Sequence, residues 1–141
     1  MTITSTSGAL PVTAVSGGPV AGVAGDATLL DVADALAAAG IGALVVGSAD
    51  RPAGIVTERD VVTALADRRD PAATTAADVA HTTLVWCDAT ATIAEVAEVM
   101  MERYVRHVLI EDEGRPVGIV SARDLLGAYA AGDAGADSYD G

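Results

Sequence analysis

The chain has 141 residues, 51% of them apolar and 20% charged, and 20 acids against 8 bases leave a net charge of −12. This apolar content excludes a disordered chain, and no apolar run reaches the roughly 20 residues that a membrane helix needs. The acid excess disfavours polyanionic partners, so neither nucleic acid nor an anionic membrane is expected. All eight bases are Arg, and a lone cysteine, Cys87, permits no internal disulfide, as suits the cytoplasm. The opening M-T-I-T-S-T-S-G has neither the basic start nor the apolar stretch of a signal peptide. One small phosphate compound, held by a few placed Arg side chains and backbone amides, remains compatible with this charge.

Residues 1–9 read as a flexible N-terminus, and Pro19 to Ala24 as a first short strand. Thr28 then has the look of an N-cap, with Asp31 at the capping-box spacing, and Leu29, Val32, Ala33 and Leu36 share one helical face. A second strand is expected over Ala43–Val46, a turn around Asp50-Arg51-Pro52, and a third strand over Gly54–Val56 that runs into a helix opened by Thr57. The stretch 67–78 leads out of this unit and starts a short helix. The same series then recurs. An offset of 64 residues lays 27–66 over 91–130 with thirteen identities in forty positions, nine of them other than Ala on Ala. The matches fall in runs, R-P-x-G-I-V and then Arg-Asp, which marks a duplication rather than shared composition.

In the second copy the strands are Thr83 to Asp88, His107–Ile110 and Gly118–Val120, with a turn at Glu113-Gly114-Arg115-Pro116. The helices open at Thr92, followed by Glu95, and at Ser121. Each unit is therefore β-α-β-β-α. About 60 residues bury too little surface to stand comfortably alone, so two copies should pack together. The expected division is 10–70 for the first motif, 71–131 for the second, and 132–141 for a flexible acidic tail.

G-I-V-T-E-R-D at 54–60 and G-I-V-S-A-R-D at 118–124, each after an apolar strand and a turn, resemble the signature of the CBS-domain family. Residues 10–130 resemble a tandem CBS pair, or Bateman module. The resemblance implies an α+β fold (of α/β type) made of two βαββα motifs packed as a pseudo-twofold pair, with a cleft that often takes adenosine compounds. Where the family often has Pro in the second strand, this chain has Val45 and Leu109. The resemblance makes Thr57 with Asp60, and Ser121 with Asp124, the hydroxyl–ribose pairs of two sites.

The residues support that chemistry on their own terms. A strand that turns directly into a helix leaves first-turn N–H groups without partners, a small anion site to which Thr57 or Ser121 adds a hydroxyl. Asp60 or Asp124, one turn in, can accept both vicinal hydroxyls of a ribose. The alternative is that T-x-x-D and S-x-x-D only cap their helices. Arg59 and Arg123 precede the two Asp residues and either face phosphate or are solvated partners of nearby acids. Arg106-His107 stands where the first copy has Gly42-Ala43, so the second copy alone carries polarity suited to a phosphate tail, with Arg103 one helical turn earlier.

His81, Cys87 and His107 have no metal-ligand spacing, and no nucleophile–base order is apparent, so neither a metal site nor an enzyme is expected. Trp86 is expected to pack at a cleft or interface. These features point to a stand-alone regulatory CBS pair with no required cofactor that binds AMP, ADP, ATP, NAD or S-adenosylmethionine. The resemblance implies a homodimer, and any output would go through a separate regulated protein. The competing reading is a structural dimerisation module with empty clefts.

Overall fold

The computed structural model describes residues 8–16 and 20–137, with side chains in the last helix described as far as Ala131. The chain forms two compact units: Val20–Leu84, and a second that joins the N-terminal segment to Val85 and onward.

The continuous unit contains β1 (Gly22–Val23), α1 (Leu29–Ala39), β2 (Ala43–Ser48), β3 (Arg51–Thr57), α2 (Glu58–Ala66) and the short α3 (Ala76–Val79). Its sheet has the order β1-β2-β3, with β1 parallel to β2 and β2 antiparallel to β3. Helix α1 starts at Thr28 because the Thr28 hydroxyl accepts the Asp31 N–H (3.2 Å) while the Asp31 carboxylate accepts the Thr28 N–H (3.1 Å). Leu29, Val32 and Leu36 then recur on one buried face. The helix ends at Gly40 with φ 65°, the left-handed conformation that glycine adopts without cost. Val32 and Leu36 pack with Leu44, Val46, Val56 and Ala76 to form the core.

The other unit repeats this order as β4 (Trp86–Asp88), α4 (Ile93–Arg103), β5 (His107–Asp112), β6 (Arg115–Ser121) and α5 (Ala122–Asp137). Its sheet order is β4-β5-β6, again parallel then antiparallel. Thr92 and Glu95 form the capping box of α4. That helix ends on Tyr104, where φ is 54°, in the position Gly40 holds in the first copy. The core gathers Val85, Ile93, Val96, Met100, Val108, Ile110, Val120 and Leu125 around the fully buried Val12. The two βαββα motifs expected from the repeat are thus both present.

The compact units cut the chain elsewhere than at 70/71, because the segments leading each repeat are exchanged. Val12 N–H donates to Ala91 O (2.8 Å) and Ile93 N–H to Leu10 O (2.9 Å). Sixty-four residues on, Ala76 N–H donates to Ala27 O (2.8 Å) and Leu29 N–H to Thr74 O (3.0 Å). The segment ahead of the first copy therefore completes the second, and α3, ahead of the second copy, completes the first. At the other end, the backbone of α5 continues to Asp137, six residues into the stretch expected to be a tail. Residues 1–7 and 138–141, also expected to be loose, lie outside the described residues.

Both hairpins turn earlier than the Pro residues indicate. Arg51-Pro52 and Arg115-Pro116 already lie in β3 and β6, and the tight turns fall at 49–50 and 113–114. Each hairpin has a bulge: Val46 pairs with Gly54 and Gly47 with Pro52, leaving Ala53 unpaired, and Val117 is skipped in the same way. A bulged edge strand tolerates a proline that an interior strand would exclude.

Candidate functional site

Each copy turns from its edge strand into the following helix through the residues of the repeated motif. In the first copy, Thr57 ends β3 and caps α2, its hydroxyl accepting the Asp60 N–H at 3.2 Å. Asp60 Oδ2 accepts the Thr57 N–H (2.8 Å) and the Thr57 hydroxyl (3.0 Å). Its other oxygen, Oδ1, lies 2.7 Å from His81 Nε2. A carboxylate can only accept, so Nε2 carries the hydrogen. The Asp60 side chain is 11% exposed and that of His81 68%.

The backbone holds His81 in place: its N–H and C=O exchange hydrogen bonds with Ile55, both at 2.9 Å. Gly54 makes this approach possible, since a Cβ there would lie 2.9 Å from the His81 carbonyl oxygen and 3.2 Å from Ala80 Cβ. Beside the same corner, Glu58 N–H donates to Gly42 O (3.0 Å), and the Glu58 carboxylate lies against Gly42, 3.0 Å from where a Cβ would sit.

In the second copy, Ser121 N–H donates to Asp124 Oδ2 (2.8 Å) and Asp124 N–H to the Ser121 hydroxyl (3.0 Å). Asp124 is exposed, and its second carboxylate oxygen has no hydrogen-bond partner among the described residues. Ala122 N–H donates to Arg106 O (2.8 Å), and His107 is the register partner of Ser121. The fold thus brings Arg106, His107, Ser121, Asp124 and Arg123 to one corner. Arg106 and Arg123 are exposed and form no ion pair among the described residues. Arg59 is likewise exposed on the first turn of α2. Arg103 lies at the end of α4.

The two corners share a backbone but differ in charge. Gly42 and Glu58 in the first copy correspond to Arg106 and Ala122 in the second, so an acid beside the helix start gives way to a base. Both motif carboxylates act as caps in this structure. Sequence reasoning missed two contributors, Glu58 and His81. The Glu58/Ala122 difference was there to be read in the aligned repeat. His81 lies 21 residues beyond Asp60 and outside the matched forty, so nothing in the spacing pointed to it.

Elsewhere, burial pushes the half-buried Cys87 thiol up from its ordinary value, assisted by the negative charge of Glu95, and keeps it protonated. Trp86 is half-buried on β4 beside Leu109. Among the described residues there is no group of three or more His, Cys, Asp or Glu side chains that could hold a metal ion. Among the described residues no helix is long and apolar enough to cross a membrane.

Two three-stranded βαββα units, each with a Thr/Ser-x-x-Asp corner between edge strand and helix, define a tandem CBS-type repeat. The chain belongs to the CBS domain family, whose profile matches residues 9–67 and 76–131. It is 42% identical over 87 residues to hypoxic response protein 1 of Mycobacterium tuberculosis, a match covering 60% of this chain and 61% of that relative's length. A structure of hypoxic response protein I with two coordinated zinc ions is 36% identical, with a TM-score of 0.64, covering 82% of this chain and 96% of that one. A CBS-domain protein of Agrobacterium tumefaciens is 33% identical (TM-score 0.74, 85% and 93% covered). A CBS domain protein of Pyrobaculum aerophilum complexed with AMP is 26% identical (TM-score 0.72, 86% and 99% covered).

Proposed function

We propose that this CBS pair is a regulatory rather than catalytic module, acting in the cytoplasm, that binds an adenine nucleotide or related adenosine compound at the second-copy corner. The observation that carries this reading is the replacement of Gly42 and Glu58 by Arg106 and Ala122 on an otherwise repeated backbone. Arg106 is a permanent cation whose backbone carbonyl accepts the Ala122 N–H at the start of α5, so a phosphate at this helix start would meet its charge. Asp124, with one carboxylate oxygen open among the described residues, would receive the ribose hydroxyls, and Ser121, His107 and Arg123 would line the phosphate side. The AMP complex of the Pyrobaculum relative supports the ligand class. The zinc of the hypoxic response protein is not carried over, because the described His, Cys and acidic side chains form no group of three or more that could hold a metal ion.

Signalling would run through a change in self-association or in a separate regulated protein, since ligand binding shifts populations of conformations. Exposed Val62 (65%), Leu126 (68%) and Met101 (77%) on the helices support a homodimer. Thermal melts with AMP, ATP, NAD and S-adenosylmethionine test the ligand. A ligand at 100 times its Kd adds about 2.7 kcal/mol of stability and raises the midpoint by degrees. Asp124→Ala and Arg106→Ala should abolish that rise. No shift with any of the four at millimolar concentration refutes the reading.

One observation favours a second reading, a structural dimerisation module without ligand: both motif carboxylates are already engaged as helix caps. It predicts a dimer whose stability and association are indifferent to all four compounds.

A further inference from the structure

We propose that His81 is a built-in occupant of the Asp60 carboxylate, and that it decides which of the two repeated corners takes the ligand. That role presupposes the adenosine reading of the second-copy corner. Asp60 and Asp124 have the same place in the same motif, yet their acceptor capacity differs. A carboxylate offers about four lone-pair directions. Two hydrogen bonds from Thr57 fall on Asp60 Oδ2, and His81 Nε2 takes Oδ1 at 2.7 Å. With the side chain only 11% exposed, Asp60 can receive a pair of vicinal hydroxyls only if His81 leaves. At Asp124, which is exposed, one oxygen is open among the described residues, so a diol there displaces none of the hydrogen bonds they make.

The occupant is removable. The backbone of His81 is fixed by its two hydrogen bonds with Ile55, whereas its imidazole is 68% exposed. A side-chain rotation into water frees Asp60 without moving the chain. The repeat does not supply the same imidazole to the second copy, because the offset of 64 places Gly17 opposite His81, and glycine has no side chain to offer. Glu58 acts in the same sense, adding a negative charge beside the first corner where the second copy has Ala122.

Calorimetric titration of the full chain with AMP tests this in wild type, Asp60→Asn, Asp124→Asn, His81→Ala and His81→Ala/Asp60→Asn. A melt of each variant monitors the fold, and His81→Ser serves as a second variant lacking the imidazole. Wild type is expected to bind one AMP per chain, weakened at least tenfold by Asp124→Asn and unchanged by Asp60→Asn. Removing the imidazole should add a second AMP per chain, and the double variant should lose it again. If wild type and the His81 variants bind AMP identically, or the His81 variants bind it more weakly, the occupant role is refuted while the adenosine reading stands. A wild-type site that depends on Asp60 refutes it as well. Absence of AMP binding in every protein overturns the occupant role, and the adenosine reading falls with it only if ATP, NAD and S-adenosylmethionine leave the melt unmoved as well.

Discussion

Gly54→Ala is the most direct test of how the first corner is assembled. The added methyl group would lie 2.9 Å from the His81 carbonyl oxygen, a backbone atom that can retreat only by separating residue 81 from β3. The separation weakens the reciprocal pair between His81 and Ile55, two hydrogen bonds of 2.9 Å. At about 1 kcal/mol net for each, the loss is about 2 kcal/mol. Alanine restricts the unfolded chain more than glycine does and returns about 0.4–1 kcal/mol. A net destabilisation of about 1–1.5 kcal/mol is expected, read as a lower urea midpoint at unchanged slope. Gly127→Ala provides the same chemical change without the clash, because nothing lies within 4 Å of a Cβ built there. On helix α5 it should stabilise by about 0.5–1 kcal/mol. The two substitutions must move the midpoint in opposite directions. If Gly54→Ala leaves the midpoint unchanged or raises it, the close approach of residue 81 is not what Gly54 provides.

Tyr104→Gly should raise the melting temperature, because Tyr104 is 94% exposed and has a left-handed φ of 54° that costs a non-glycine residue about 1 kcal/mol; a lower melting temperature would refute this. Thr92→Ala removes the hydroxyl that accepts the Glu95 N–H at 3.1 Å and should cost about 1 kcal/mol in urea unfolding. The Thr90 hydroxyl and N–H hold Asp88 below the ordinary carboxylate value, and the Thr75 backbone N–H and hydroxyl do the same for Asp78. With the folded value depressed, their contribution to stability is complete above the unfolded value near 3.8 and is lost as pH falls through the folded one. Thr90→Ala should shift the Asp88 carboxyl titration upward by NMR, and an unmoved titration would refute that cause.

Local chemistry was legible in the sequence, and long-range docking was not. The boxes at Thr28, Thr57 and Thr92 follow from a hydroxyl and an acid three residues apart, a pattern complete within one turn. Strand positions 43–46 and 108–110 followed from uninterrupted apolar runs. The hairpins were displaced because Pro52 and Pro116 resemble turn residues, and only the skipped Ala53 and Val117 let them sit in an edge strand. The exchange of leading segments leaves no periodic trace, since Val12 and Ala76 become core through contacts with residues far along the chain or in another element. For the same reason the motif could be located on one corner of each copy, whereas the imidazole closing one of them could not.

The exchanged segments also impose an order on synthesis. Residues 20–84 carry every hydrogen-bonding and core partner described for their unit, so that half can close soon after it leaves the ribosome. Val12 emerges earlier but must wait, its partners Ala91, Ile93 and Leu125 appearing only after the whole of the continuous unit has been made. Until then the apolar segment around Val12 is left uncovered. The last contacts to form thus join residues made before the continuous unit to residues made after it, a slow long-range closure.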